Sequence, residues 1–109
     1  MRINASIKDS TAVIHLTGRL DFTTYRSLRE GCDELLQLSE ISILEVDVHD
    51  VEHINSSAIG MLLLIHELAQ KNGKQLHISN LRGLVLRVFE VANLHRYFTI
   101  VPAKVGLQR

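Results

Sequence analysis

The chain has 109 residues, 46% hydrophobic and 22% charged, and its 12 basic residues balance 12 acidic ones. That length suits one domain with a single core, burying roughly two thirds of the unfolded surface. A net charge of zero with scattered basic residues excludes the positive field by which nucleic-acid binders displace counterions, and the lone thiol, Cys32, excludes an internal disulfide and a cysteine-based metal site.

Ile3 to Ile7 alternates loosely and Ala12 to Leu16 is β-branched and apolar, so both read as strands. Lys8-Asp9-Ser10-Thr11 is the hairpin turn between them, and Gly18 is expected to end the second strand. Asp21, Thr23 and Thr24 are candidate caps for a helix running to about Leu38. Its core face, at helical spacing, is Tyr25, Leu28, Cys32, Leu35 and Leu36, with Cys32 as a small apolar filler. Ile41 to Val48 is the next strand, with Ile43, Val46 and Val48 as its apolar set and Leu44 breaking the alternation. A loop is expected over Asp50 to Asn55. A second helix runs from about Ser57 to Asn72 and ends at Gly73, a residue suited to a left-handed cap. Gln75 to Ser79 reads as a short strand and Leu81 to Ala92 as a third helix, with Leu81, Val85, Val88, Phe89 and Ala92 inward. Phe98 to Val101 is the last short strand. The order β-β-α-β-α-β-α-β predicts a single α/β domain over residues 1–109, a mixed, mostly parallel central sheet with helices packed against it.

No apolar run near Met1 is long enough for a secretion signal. The longest one, Ala58 to Ile65, is far short of the about 20 residues of a membrane span, so a cytoplasmic protein without membrane insertion is expected.

The segment His53-Ile54-Asn55-Ser56-Ser57-Ala58-Ile59-Gly60 joins the C-terminal end of a central strand to a helix. In open α/β sheets this edge collects ligands and modifications. The free N–H groups and dipole of the helix start favour negative charge there. A phosphate on a serine would add about −1.5 to −2 charge without disturbing the fold. Asn, Ser and Ser are also the residue types that simply cap helices, so the segment reads either as a cap or as an acceptor site. The helix that follows is apolar nearly all round, from Ala58 through Met61, Leu62, Leu63, Leu64 and Ile65 to Leu68 and Ala69. It is either a crowded core helix or one that presents Met61, Leu64 and Leu68 to a partner. Asp21 and Thr23 follow a strand on the same edge and serve either as caps of the first helix or as partner contacts beside the acceptor.

The element order and the run Asn55-Ser56-Ser57-Ala58-Ile59-Gly60 resemble the STAS domain of bacterial anti-sigma factor antagonists, in which the run usually reads Asp-Ser-Ser-Gly-Leu/Ile-Gly. Leu16-Thr17-Gly18-Arg19-Leu20-Asp21, Leu44-Glu45-Val46-Asp47-Val48, Asn72-Gly73-Lys74-Gln75-Leu76-His77-Ile78 and Phe89-Glu90-Val91-Ala92-Asn93-Leu94 match in the same order, so the resemblance covers about residues 3 to 101. It implies a partner switch. The unphosphorylated antagonist binds a regulator with a histidine-kinase-like ATPase fold, which acts as a serine kinase and releases it on phosphorylation; a serine phosphatase reverses the step. By position the phosphoacceptor is Ser56, with Asn55, Ser57, Ala58 and Gly60 forming its loop and helix start. The ATP and metal belong to the partners, so no cofactor is implied for this chain. Asn55 replaces the family's acidic residue and Ala58 its glycine, which keeps the cap and the helix while changing what a kinase would read. The helix that many relatives carry at the C-terminus is expected to be short or missing.

Enzymatic readings find less support. His49 and His53 stand four apart near Asp47, Asp50 and Glu52, but they cross a strand end into the expected loop, where that spacing does not make a metal site. No Gly-x-Ser-x-Gly elbow or phosphate-loop pattern is present. The resemblance also implies a non-enzymatic alternative, since single-domain STAS proteins serve as accessory subunits of lipid-transport ATPases; a scaffold in a signalling assembly is a further reading.

Overall fold

The apolar, β-branched run centred on Ile14 pairs on both sides, and the sheet grows outward from it. The computed structural model describes residues 2–102. In chain order it holds β1 (Arg2–Lys8), β2 (Thr11–Leu20), α1 (Tyr25–Leu36), β3 (Ile43–Ile54), α2 (Ser56–Lys71), β4 (Gln75–Ser79), α3 (Gly83–Val91) and β5 (Thr99–Ile100). Single 3-10 turns, Phe22–Thr24 and Leu94–Arg96, precede α1 and follow α3. The strands lie in the order β1-β2-β3-β4-β5. Only β1 against β2 is antiparallel. The mixed, mostly parallel sheet expected from the element order is therefore present. The expected short or missing C-terminal helix concerns residues 103–109, outside the described residues.

One face of the sheet is apolar and buried. Ala12 and Ile14 stand beside Leu44 and Val46, which stand beside Leu76 and Ile78, all at most 2% exposed. Leu28, Cys32 and Leu36 from α1, Leu62 and Ile65 from α2, and Val85 and Phe89 from α3 complete this core. Each such Leu or Ile contributes roughly 1.5–3 kcal/mol relative to an exposed side chain. Burial pushes the Cys32 thiol up to about 12, with Asp33 adding to the effect, so it packs as an apolar group and is not a nucleophile. The α2 terminus is closed as its sequence suggests. Gly73 is left-handed (φ 71°), its N–H donates to the Gln70 carbonyl, and the Lys74 N–H donates back to the Ala69 carbonyl.

Several expectations fail for tertiary reasons. Gly18 does not end β2. With φ 106° it sits between two register shifts, where β3 carries one extra residue at each, and β2 continues to Leu20. The segment Asp50 to Ile54 is not a loop but the second half of β3, held by pairing with Thr17 to Leu20. The inward set of β3 is Leu44, Val46 and Val48, with Ile43 on the opposite, half-exposed face. Ala92 lies beyond α3 and is exposed.

The other face of the sheet carries a polar network. The Asp47 carboxylate accepts from His15 Nδ1 (2.8 Å), the Asn80 amide (2.9 Å) and the His49 backbone N–H (2.9 Å). Burial alone would raise the Asp47 pKa. The bonds from Asn80, His49 and His15 outweigh it and hold the carboxyl below its ordinary 3.8. A folded-state value below the unfolded one means that the ionised group adds stability at neutral pH. That contribution is lost as pH falls through the folded value. Asp47→Asn is expected to lower the melting temperature at neutral pH and to flatten its decline on acidification. An acid limb as steep as wild type would show that this carboxylate is not held charged by the network.

Candidate functional site

β2 and β3 are parallel and end in register, Leu20 beside Ile54. The residues that follow, Asp21 and Asn55, are therefore delivered to the same edge of the sheet, and the turn Phe22–Thr24 packs against α2. Asp21 leaves β2 with extended backbone, and its carboxylate accepts from both the backbone N–H (3.0 Å) and the hydroxyl of Thr23. The Thr23 hydroxyl bond, helped by the backbone N–H and the charges of Arg19 and His53, outweighs burial and lowers the Asp21 pKa. Arg19 Nε lies 3.9 Å from the same carboxylate, a loose surface pair. Asp21 thus caps the 3-10 turn that leads into α1, in a box closed by the Thr24 hydroxyl, which accepts from the Asp21 N–H. Thr23 supplies the donors, and α1 itself follows Thr24 without a side-chain cap. Asp21 and Thr23 stand on the edge where partner contacts were expected.

Asn55 enters α2 as its cap, with extended backbone (φ −117°, ψ 178°). Its Oδ1 accepts from the Ala58 N–H at 3.1 Å and from the Ser57 hydroxyl at 2.7 Å. The two serines therefore differ. Ser57 is tied to the cap. Ser56, the first residue of α2, is exposed, and its hydroxyl makes no hydrogen bond to the described residues. Ala58 is fully buried, whereas Gly60 is exposed on the outer side of the first turns with open space where a Cβ would stand.

The rest of the expected surface divides. Met61 is only 5% exposed and belongs to the core, so it does not reach a partner; α2 is rotated so that Ala58, Met61, Leu62, Ile65 and Ala69 face inward. Leu64 is 51% exposed and lines a groove of about 390 Å³ between α1 and α2, with Tyr25, Arg29, Glu67, Leu68 and Lys71. His49 and His53 lie on β3, and no group of three or more His, Cys, Asp or Glu able to hold a metal occurs among the described residues. No helix among them is long and apolar enough to cross a membrane. Phe22 was missed by the sequence reading. It is 72% exposed on the turn beside the Ser56 edge, and Leu84, at the start of α3, is 58% exposed. The signal was available: Phe22 falls between a cap and its threonines, outside the core spacing of α1.

The family profile described as "Mlab, STAS domain" matches residues 3–102. The chain belongs to the STAS domain family. Among characterised relatives, a STAS-domain containing protein of Pseudomonas aeruginosa is 26% identical over 87 residues, 80% of this chain and 84% of that protein. The anti-sigma-B factor antagonist of Bacillus subtilis is 26% identical over 109 residues, 97% of each chain. The fold is that of the Bacillus cell fate determinant SpoIIAA in its phosphorylated form, with TM-score 0.67 and 16% identity over 99% of this chain and 98% of that one.

Within this STAS domain, Asn55 does locally what an aspartate would do as a cap, without the charge. Asn55→Ala is expected to cost about 1 kcal/mol by unmaking both Oδ1 bonds. Asn55→Asp is expected to keep the cap and gain about 0.3–1 kcal/mol from the helix dipole. Thermal or urea unfolding of both variants checks this; a neutral Asn55→Ala would mean that solvent caps α2 equally well.

Proposed function

We propose that this STAS domain is a phosphorylation-controlled, non-enzymatic partner switch. In this reading it docks on a serine-kinase, anti-sigma-type regulator of histidine-kinase-like ATPase fold while Ser56 is unmodified. Phosphorylation releases it, and a serine phosphatase resets it, in the cytoplasm. The observation that carries the reading is the inequality of the two serines: Ser57 is committed to Asn55 and Ser56 is exposed and uncommitted at the start of α2. A phosphate on Ser56 would meet the free N–H groups and positive end of the helix, so the folded chain can carry it. The names of relatives as anti-sigma factor antagonists support the same reading.

The docking surface in this reading is the sheet edge holding Asp21, Phe22, Thr23 and Ser56, extended by Leu64 on the outer side of α2. An exposed aromatic beside the acceptor is the kind of side chain that anchors an interface. Phe22→Ala is expected to weaken regulator binding by about 2 kcal/mol, roughly 30-fold, while leaving the melting temperature unchanged. Equal binding by calorimetry would remove Phe22 from the interface.

The direct test is phosphopeptide mapping of the protein from its own cells, beside a Ser56→Ala variant. A phosphate on Ser56, absent in the variant, supports the switch. The alternative reading, an accessory subunit of a lipid-transport ATPase, draws on the outer face of α3, where Leu84 and the 83%-exposed Val91 would suit a permanent partner. It gains if Ser56 stays unmodified under every growth condition and the chain co-purifies with a transporter.

A further inference from the structure

Ser6, His15 and Asp47 come from β1, β2 and β3 and meet on the sheet face away from the core. Ser6 pairs with Val13, two residues from His15 on the same face, so its hydroxyl reaches the imidazole diagonally across the ladder. Ser6 Oγ lies 3.3 Å from His15 Nε2, and His15 Nδ1 lies 2.8 Å from Asp47 Oδ2. The carboxylate can only accept, so Nδ1 carries the proton of the neutral ring and Nε2 is left as an acceptor facing the serine. Asp47 is itself fixed by Asn80 and the His49 N–H. A hydroxyl, a base and an orienter of that base stand in sequence, as nucleophilic catalysis requires.

We propose that Ser6, His15 and Asp47 form a nucleophilic relay, separate from Ser56, through which Ser6 takes an acyl group from small activated acyl donors of the aryl ester or acyl phosphate class. In the step, Ser6 Oγ attacks the acyl carbon and forms a new C–O bond. The bond from that carbon to the leaving oxygen breaks, and the leaving group departs with its electron pair. His15 Nε2 takes the serine proton, and Asp47 stabilises the resulting imidazolium. The products are the Ser6 ester and the free phenol or phosphate. The donor class follows from the surroundings. Ser6 lies on the open edge strand, where no enclosed pocket holds a transition state, so a carbonyl with a good leaving group is the one that reacts. Ser6 is exposed on an edge strand and the grooves at α1, α2 and α3 do not reach it, so they offer no pocket for a larger donor, and the relay is matched to small, intrinsically reactive ones.

The test treats the full chain with p-nitrophenyl acetate, follows p-nitrophenol release, and locates the acetyl group by intact mass and peptide mapping. Wild type is expected to gain one acetyl group on Ser6. Ser6→Ala should lose that modification, and Ser27→Ala, at an exposed serine of α1, should acetylate as wild type does. His15→Gln should acetylate at least about 100-fold more slowly, the usual contribution of a positioned base. Thermal melts check that the variants fold; should His15→Gln not fold, Asp47→Asn, which leaves the ring in place but no longer fixes its tautomer, must be slowed in its stead. Acetylation confined to lysines, or a Ser6 rate unchanged in the His15 or Asp47 variant, would overturn the proposal.

Discussion

Ser56→Asp is expected to weaken binding of the regulator by about 2–4 kcal/mol, roughly 30- to 1000-fold, while Ser56→Ala binds as wild type does. Ser56 is exposed and uncommitted on the edge shared with Asp21 and Phe22. A surface that docks there must cover residue 56. Covering a hydroxyl or a methyl costs little, but covering a carboxylate strips its water without providing a partner charge. Within the free protein the same carboxylate is favourable, since it sits at the start of α2 and gains about 0.3–1 kcal/mol from the dipole. The two effects have opposite signs. Calorimetry with the regulator should therefore show lost binding in a variant whose melting temperature is equal to or above wild type. Lost binding with lost stability would point to damage, and wild-type affinity in both variants would sink the switch.

Phe89→Ala is expected to cost about 3–5 kcal/mol and to lower the melting temperature by about 12–20 °C. Phe89 is fully buried, with its ring 6.0 Å from Phe98 and 6.5 Å, edge-on, from His95. It fixes α3 to the segment that leads into β5, so the cavity would open where three pieces of chain meet. Against a total stability of about 5–15 kcal/mol the variant stands near the edge of folding. Val91→Ala, on the exposed side of the same helix, is the control, with a change within about 0.5 kcal/mol. Equal losses in the two variants would mean that α3 is held by its helical propensity and not by Phe89.

Features decided by neighbouring residues were legible in the sequence. The hairpin at Asp9 and Ser10, the cap at Asn55, the close of α2 at Gly73 and the strand Gln75–Ser79 all follow from local chemistry or short-range periodicity. So was the difference in kind between the serine segment and its surroundings, because capping residues before an apolar helix are a short-range pattern. Residue chemistry alone did not separate Ser56 from Ser57; only the family resemblance did, by position. In the structure the difference lies in which hydroxyl the Asn55 side chain takes.

The remaining features needed the tertiary structure. Asp50, Glu52 and His53 carry the polarity of a loop, and only pairing with the end of β2 makes them a strand. Gly18 looks like a strand breaker because glycine is costly in an unpaired strand. Paired with Val51 of β3 between the two extra residues of that strand, it instead accommodates the bulges. Met61 and Leu64 are equally apolar, yet Ser56, Gly60, Glu67 and Lys71 form a polar row at helical spacing that contains Leu64, a signal hidden by the number of apolar residues in α2. The fold buries Met61 and leaves Leu64 outside. Ser6, His15 and Asp47 are far apart in the chain, and strand register alone brings them together. The sequence by itself determined the elements, their order and the serine-bearing turn, since those rest on local conformational preference. The structure decided which side chains share a surface, since that rests on pairing between segments that local preference cannot see.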